Sequence, residues 1–490
     1  MGKLIIVSAL LPVFIEKKGK EYLAKVSPGG LITALKQSYE KRKALWIGWH
    51  GSDFYSEKIK EIVQKAGKSE GFNLFPVPLK KEERENFFNG FSNKIIWPLF
   101  HGFPQFCEFE NEYFQAYRSV NQKFAKEILK VVRKDDFIWI HDYHFFLLPK
   151  YLKQKNKNLN IGFFLHIPFP SPELFFRIPW RIELLEAFLN YDTIGFHTNI
   201  DRKNFLDCID ELIPEIDIKR EEPVCTIDFK GRKIKVGIFP ISIEFEKYNS
   251  TAKKVDKKIK ELKDVFKDKK LIFCADRIDY TKGLIEKVKI YKRFLEKYPQ
   301  FKNKVVFVEA VSKNIKKAKE YDELKKEFEH KISEINGVFG DKDYQPFIYL
   351  QKRLDFEDLI SYYRYADVCL ITPIRDGLNI VSKEYIASNI DKKGVLILSE
   401  FAGASTELFK HSFLINPYDT EKNADILYQA LNLNKKERKN KMENLRRHVK
   451  KYDITWWVDT FLKVATGKGI EIYPKLEEDI PLHELINNPQ

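Results

Sequence analysis

Cysteine is scarce: five residues in 490 (Cys107, Cys208, Cys225, Cys274 and Cys369), none in a Cys-x-x-Cys spacing. An odd, scattered set argues against a disulfide framework and for reduced, structural thiols in a cytoplasmic protein. No apolar run approaches the roughly 20 residues of a membrane span. The nearest to one, Leu-Ile-Ile-Val-Ser-Ala-Leu-Leu from residue 4, is short for a signal-peptide core, and no small-residue cleavage site follows it. It reads as a first buried strand. Internal repeats and low-complexity tracts are missing as well, which excludes repeat arrays.

The chain does have length, apolar content and positive charge. At 490 residues it is too long for one ordinary core, so two or three domains are expected. Hydrophobic residues make up 44%, enough to bury sizeable cores. The net charge of +15 invites a nucleic-acid reading. The lysines, however, are spread through helix-like segments such as 253–270, where Val255, Ile259, Leu262 and Phe266 form the buried stripe. A solvated helical face explains that pattern better than a polyanion site. A basic chain also suits small anionic substrates. Neither nucleic acid nor membrane is an expected partner, and homo-oligomer formation is left open.

The most informative stretch is 368–387. An apolar run (368–371) reads as a strand buried on both faces, Thr372-Pro373 stops it, Arg375-Asp376-Gly377 turns, and Ile380, Val381, Tyr385 and Ile386 suit a helix. Strand, tight polar turn and helix make half of a βαβ unit. The turn lies where open α/β sheets bind ligands, and a helix N-terminus there offers N–H groups to sugar or phosphate oxygens. Asp376 and Glu384 are eight apart, about 12 Å along a helix axis, so one long ligand could touch both. A capped helix with a solvated acid would give the same pattern.

Other segments repeat the motif. Residues 137–144 form a strand that delivers His141, Asp142 and His144, and the strand at 161–165 ends in His166, placing Asp142 and His166 at one sheet edge. A zinc site from these residues is not expected, because 141 and 144 on one extended strand end would face oppositely and no fourth ligand has metal spacing. The aromatic-rich segment 87–97 reads as core packing, and prolines 168–179 as a rigid wall. Gly29-Gly30 before a helix-like 31–38 would let backbone approach a ligand, although a plain turn explains it equally. Near residue 240 the pattern restarts, as at a domain boundary. A strand at 271–275 leads to Arg277 and Lys282 ahead of a helix at 284–297, a place to hold a diphosphate. A surface pair of basic residues is the plainer alternative. A charged helix is expected to end at Asn336-Gly337, and two final helical segments run to Gly467.

Together these segments resemble the trehalose-6-phosphate synthase family of retaining glycosyltransferases (glycosyltransferase family 20), whose close relatives include the glucosylglycerol-phosphate synthases. The motifs are Trp-Ile-His-Asp-Tyr-His (139–144), Gly-Phe-Phe-Leu-His-Ile-Pro-Phe-Pro-Ser-Pro-Glu (162–173), Arg-Ile-Asp-Tyr-Thr-Lys-Gly (277–283), Ile-Asn-Gly (335–337), Thr-Pro-Ile-Arg-Asp-Gly-Leu-Asn (372–379), Lys-Glu-Tyr (383–385) and Leu-Ser-Glu-Phe-Ala-Gly-Ala (398–404). The resemblance covers roughly residues 3–465. It implies an α/β fold of two Rossmann-like domains facing across a cleft (GT-B). Residues 1–240 would bind the acceptor, 241–455 the nucleotide sugar, and 456–490 would hold a helix crossing back and a polar tail. It implies a nucleotide-glucose substrate, no cofactor and no metal.

The resemblance puts Arg277, Lys282, Asp142 and His166 at the chemistry. Arg277 and Lys282 would take the donor diphosphate and Glu384 the ribose. Asp376 with the backbone of Leu378, Asn379 and Ile380 would hold the transferred glucose. Gly30 would close on the diphosphate, His166 would meet the glucose, and Trp97 and Asp142 would face the acceptor. The chain departs from the trehalose-6-phosphate pattern at the acceptor: Leu10 stands for an arginine, Phe88 for a tyrosine and Lys313 for an arginine, with two extra residues before the helix. These changes lead to the expectation of a small phosphorylated acceptor, glycerol 3-phosphate, as in glucosylglycerol-phosphate synthases. Trehalose-6-phosphate synthesis is the alternative, and a non-catalytic sugar-phosphate sensor the alternative of another class.

Overall fold

The computed structural model describes residues 2–18, 21–26, 44–53, 55–312 and 319–467. The chain divides into two compact units. One runs to Pro240 and includes the helix Ile454–Ala465, and the other runs from Ile241 to Asp453.

In the first unit the continuous apolar runs become strands buried along their length, as parallel strands covered on both faces require: β1 (Leu4–Leu10), β4 (Leu45–Trp49), β6 (Phe137–His141), β7 (Asn160–Phe164) and β8 (Thr193–Phe196). With β5 (Leu74–Pro76), β9 (Asp217–Lys219), β10 (Val224–Phe229) and β11 (Arg232–Ile238) they form one sheet in the order β5-β4-β1-β6-β7-β8-β11-β10-β9. Strand order reverses between β1 and β6, which opens a crevice at their carboxyl ends. A separate antiparallel ribbon, β2 (Val13–Lys18) and β3 (Glu21–Val26), follows β1. Its strand signal is the alternation that buries Val13 and Ile15, which the surrounding charge obscures.

The helix Ile454–Ala465 packs on this sheet. The Trp457 indole donates to the Phe239 carbonyl at 3.0 Å and lies 5.0 Å from both Trp139 and Phe164. Phe461 stacks on Trp139 at 4.5 Å and crosses Gly162 and Gly195, where an added Cβ would come within 3.1 and 3.0 Å of its ring. Glycine on adjacent strands is what lets the helix approach.

The second unit holds an all-parallel sheet in the order β14-β13-β12-β15-β16-β17. Its strands are β12 (Lys270–Arg277), β13 (Val305–Ser312), β14 (Phe347–Leu350), β15 (Val368–Ile371), β16 (Val395–Ser399) and β17 (Phe413–Ile415). Here the order reverses between β12 and β15. The helix Leu284–Lys297 buries Leu284, Val288, Tyr291 and Leu295, a helical stripe.

Three expectations are corrected. The helix Lys319–Phe339 runs through Asn336-Gly337, because the Asn336 side chain bonds the Phe347 N–H and carbonyl, both at 2.9 Å, and nothing crowds Gly337. The helix-like segment 253–270 is confined to Asp256–Phe266, and a separate helix, Phe245–Ala252, precedes it. The end of the described chain holds three helices rather than two, since Asn434 caps Lys435–Lys451 by accepting from Glu437 N at 3.0 Å and so separates it from Thr420–Asn432. Among the described residues no helix is long and apolar enough to cross a membrane.

Candidate active site

The reversal between β12 and β15 carries a cavity of about 630 Å³. Its walls include Arg277 from β12, Ser312 from β13, Lys352 and Arg353 from the loop after β14, and Val381 and Glu384 from the helix Ile380–Ser388. Lys282 lines it too, so four basic side chains surround one space. That charge suits an anion held at strand ends and a helix N-terminus.

Three turns singled out in the sequence are stitched together here. In the first, Asp279 is fully buried and accepts from Thr281 N at 3.2 Å, Thr281 Oγ1 at 3.0 Å and Arg277 Nε at 3.0 Å. Gly283 follows with φ +62°. The second turn docks on the first, Ile374 N donating to Thr281 O at 2.8 Å and Thr372 Oγ1 to Gly283 O at 3.0 Å. The third, after β16, braces the second: Asp376 N donates to Phe401 O at 3.2 Å, Gly403 N to Asp376 O at 3.0 Å and Ala404 N to Leu378 O at 2.7 Å.

The result is that Lys282 Nζ lies 2.5 Å from Asp376 Oδ2. Asn379, at φ +81°, donates to the same oxygen at 3.2 Å and caps the helix by accepting from Ser382 N at 3.1 Å. The first-turn N–H groups at Ile380 have no helical partner and are available to a ligand oxygen. Glu384 lies one turn further along. Burial pushes its carboxyl above the usual range, opposed by hydrogen bonds from the Tyr248 and Tyr363 hydroxyls.

Beneath the cavity, Lys287 is fully buried and bonds Asp276 at 2.7 Å and Glu309 at 3.0 Å. Cys274, Asp276 and Glu309 form a group that could hold a metal among the described residues, but the Lys287 ammonium is bound to both carboxylates and takes the cation's place.

In the first unit the carboxyl edge of the sheet gathers Leu10 at the end of β1, Asp142 after β6 and His166 beyond β7. Asp142 has φ +73° and ψ 170°, a conformation costing a non-glycine residue about 1–3 kcal/mol. Its N–H donates to Phe164 O at 2.8 Å, and its Oδ1 lies 3.4 Å from His166 N. His141 Nδ1 and His166 Nε2 are 3.1 Å apart. Burial drives His141 down to about 3 and His166 well below its ordinary value, so both rings are neutral near pH 7.

His144, by contrast, stacks on Phe88 with centroids 5.2 Å apart and on Tyr143 at 4.2 Å. The histidines therefore do not converge on one point. Trp97 lies over His101 at 4.2 Å and 6.0 Å from Tyr143. Phe88 belongs to a π-helical segment, Arg84–Ile96, that buries Phe87 and Phe91 as core.

Strain at Asp142 predicts a separation of stability from activity. Asp142→Gly should leave thermal stability unchanged or raised by about 1 kcal/mol, since glycine adopts φ > 0 freely. Turnover should fall at least tenfold, because the carboxylate at the sheet edge is lost. Melting curves beside initial rates decide it; full activity in a stable variant would remove Asp142 from the site.

The structure thus brings Arg277, Lys282, Asp376, Leu378, Asn379, Ile380 and Glu384 together in the second unit. It gathers Leu10, Asp142 and His166 at one edge of the first, with Phe88 and Trp97 nearby through His144 and Tyr143. Gly30 and Lys313 lie outside the described residues. Sequence reasoning missed Lys352 and Arg353, although their place just beyond β14 repeats the polarity of Arg277 at the end of β12. It also missed Tyr248 and Tyr363, which have no motif.

The profile of glycosyltransferase family 20 matches residues 2–466. An alpha,alpha-trehalose-phosphate synthase [UDP-forming] of Candida albicans is 39% identical, over 94% of this chain and 97% of its own. A crystal structure of an alpha,alpha-trehalose-phosphate synthase (UDP-forming) from Burkholderia xenovorans in complex with glucose-6-phosphate superposes with a TM-score of 0.84 at 29% identity, over 95% of this chain and 100% of that one. A structure described as trehalose-6-phosphate from E. coli bound with UDP-2-fluoro glucose gives a TM-score of 0.83 at 31% identity, over 97% of this chain and 100% of that one.

Proposed function

The chain belongs to glycosyltransferase family 20 and is a retaining, nucleotide-sugar-dependent hexosyltransferase of GT-B fold, and from that premise we propose that it is an α,α-trehalose-6-phosphate synthase. It moves glucose from UDP-glucose to glucose 6-phosphate. What supports the reading most is agreement along the whole chain with UDP-forming trehalose-phosphate synthases rather than at one motif.

The geometry fits the chemistry. Retaining transfer builds positive charge at the anomeric carbon while negative charge grows on the departing diphosphate. Fixed cations at Arg277 and Lys282 bind that growing charge more strongly than the ground state, which lowers the barrier. Asp376 is engaged by Lys282 and Asn379, so its carboxylate is a hydrogen-bonding group for sugar hydroxyls rather than a bare nucleophile. Attack from the face the leaving group departs, with the phosphate taking the acceptor proton, needs no further protein base.

Glycerol 3-phosphate, favoured on Leu10, Phe88 and Lys313 alone, becomes the second reading. Three local differences weigh less than similarity over the whole chain, and Lys313 lies outside the described residues. One observation keeps it: the Phe88 ring, where the family has a phosphate-binding tyrosine, is stacked on His144 and offers no hydrogen bond. Initial rates with each acceptor at equal concentration, for the native chain and for Leu10→Arg with Phe88→Tyr, separate the two. Glucose 6-phosphate is expected to be the better acceptor of the native chain. Activity with glucose 6-phosphate only in the double variant would make glycerol 3-phosphate the native acceptor.

A further inference from the structure

Glu384 accepts one hydrogen bond on each carboxylate oxygen: Tyr248 Oη donates to Oε1 at 2.8 Å and Tyr363 Oη to Oε2 at 3.3 Å. The three residues come from three helices, Phe245–Ala252, Phe356–Tyr365 and Ile380–Ser388. Both tyrosines are buried, whereas Glu384 and Tyr363 line the cavity. We propose that Tyr248 and Tyr363 aim the Glu384 carboxylate so that the cavity selects ribonucleoside diphosphate sugars over their 2′-deoxy counterparts, an inference that rests on the cavity being the nucleotide-sugar site.

The argument is one of lone pairs. An ionised carboxylate offers about four acceptor sites, two on each oxygen. The tyrosines take one on each and leave one on each for the cavity. Two neighbouring acceptors held a fixed distance apart match two neighbouring hydroxyls, the 2′ and 3′ groups of ribose, and a 2′-deoxyribose leaves one of them bare. An unpaired buried acceptor is costly, which is the basis of rejection. Without the phenols the carboxylate could turn about its terminal torsion, which is broad and two-fold. Burial would also favour its protonated form, which replaces one acceptor by a donor.

The phenols are well suited to the task. Burial and the neighbouring carboxylate raise both hydroxyls well above their ordinary pKa, so they remain donors. Tyr248 is also held independently of any ligand. Its helix is tied to Ile380–Ser388 by Arg446, which donates to Asn249 Oδ1 at 2.7 Å and to Ile386 O at 2.9 Å. Just before that helix, the Lys383 ammonium donates to Ile241 O at 2.9 Å. The carboxylate is therefore aimed before the donor arrives, and Tyr248, which does not line the cavity, acts as a positioning residue.

The test compares UDP-glucose with 2′-deoxy-UDP-glucose for the native enzyme, Tyr248→Phe and Tyr363→Phe, with melting temperatures to confirm folding. Each phenylalanine variant should raise KM for UDP-glucose about tenfold or more and leave KM for the 2′-deoxy donor changed by less than threefold, so the ribo-to-deoxy ratio of kcat/KM falls by at least about threefold. An equal loss with both donors in folded variants would show that the tyrosines only support packing and would overturn the proposal. Calorimetric binding of UDP to the native and Arg277→Ala proteins keeps the two claims apart. Binding that weakens in Arg277→Ala, beside an unchanged ribo-to-deoxy ratio in the tyrosine variants, overturns the tyrosine role alone. No UDP binding to the native chain overturns the reading of the cavity and this proposal with it.

Discussion

Arg277→Ala and Lys282→Ala are each expected to lower kcat/KM by about 10² or more while the protein stays folded. One preorganised contact to a developing anion is worth about 2.7–4 kcal/mol, and these are the cations that the 277–283 turn presents at the end of β12. Both are paired now, Arg277 with Asp279 at 3.0 Å and Lys282 with Asp376 at 2.5 Å. Those carboxylates hold the cations in place at the cost of part of their field. A diphosphate with two negative charges is expected to outcompete them, and the competition would strengthen as charge accumulates on the leaving group. Folding should survive, because the Arg277 side chain is 40% exposed and the backbone contacts between the turns remain. Steady-state rates beside circular dichroism check this; near-normal turnover in both variants would place the diphosphate elsewhere.

Gly283→Ala should be more damaging than its size suggests. A Cβ at this position would lie 1.9 Å from the Thr372 carbonyl oxygen, and φ is +62°. The obstacle is backbone rather than the end of a flexible side chain, so the turns at 279–283 and 372–376 would have to separate. Overpacking of this kind costs about 1–3 kcal/mol, and the left-handed conformation adds about 1–2 kcal/mol for alanine. Because those turns carry Lys282 and Asp376, activity should fall at least as far as in Lys282→Ala, with a clearly lower melting temperature. Gly337→Ala is the comparison: it lies in a helix with nothing within 4 Å of the new Cβ, and should be neutral or stabilising by about 0.4–1 kcal/mol. If both variants melt and turn over like the native chain, the close approach at Thr372 is not a constraint.

Much of this site was legible in the sequence because its parts are short and local. Arg277, Lys282 and Asp376 sit within a few residues of a buried strand end, and strand-turn-helix punctuation alone places them on the ligand side of a parallel sheet. The same reasoning placed Asp142 and His166 at one edge. It could not see what depends on distant partners. Tyr248, Tyr363 and Glu384 are far apart in the chain and meet only because three helices pack together. The strain at Asp142 is set by the bonds of its neighbours on β7, not by its own residue type. The ribbon of β2 and β3 was hidden because charged residues mask an alternation of only two buried positions. The helix through Asn336-Gly337 was misjudged for a related reason: Asn336 looks like a terminator until β14 is there to use its amide.

The acceptor shows a different limit. Leu10 and Phe88 read as the loss of two phosphate contacts, and the structure places Leu10 at the carboxyl end of β1, the strand that neighbours β6 at the strand-order reversal. A change of two side chains reports what a site lacks and not what replaces it. Whole-chain similarity therefore outweighs it, and glucose 6-phosphate stands as the proposed acceptor.

The most direct measurement is a single incubation of the native chain with UDP-glucose and glucose 6-phosphate, the product identified by mass and by its anomeric proton couplings. The expected result is α,α-trehalose 6-phosphate and UDP formed in equal amounts. No transfer to glucose 6-phosphate under conditions where glycerol 3-phosphate is glucosylated, or a product with an inverted linkage, would contradict the account.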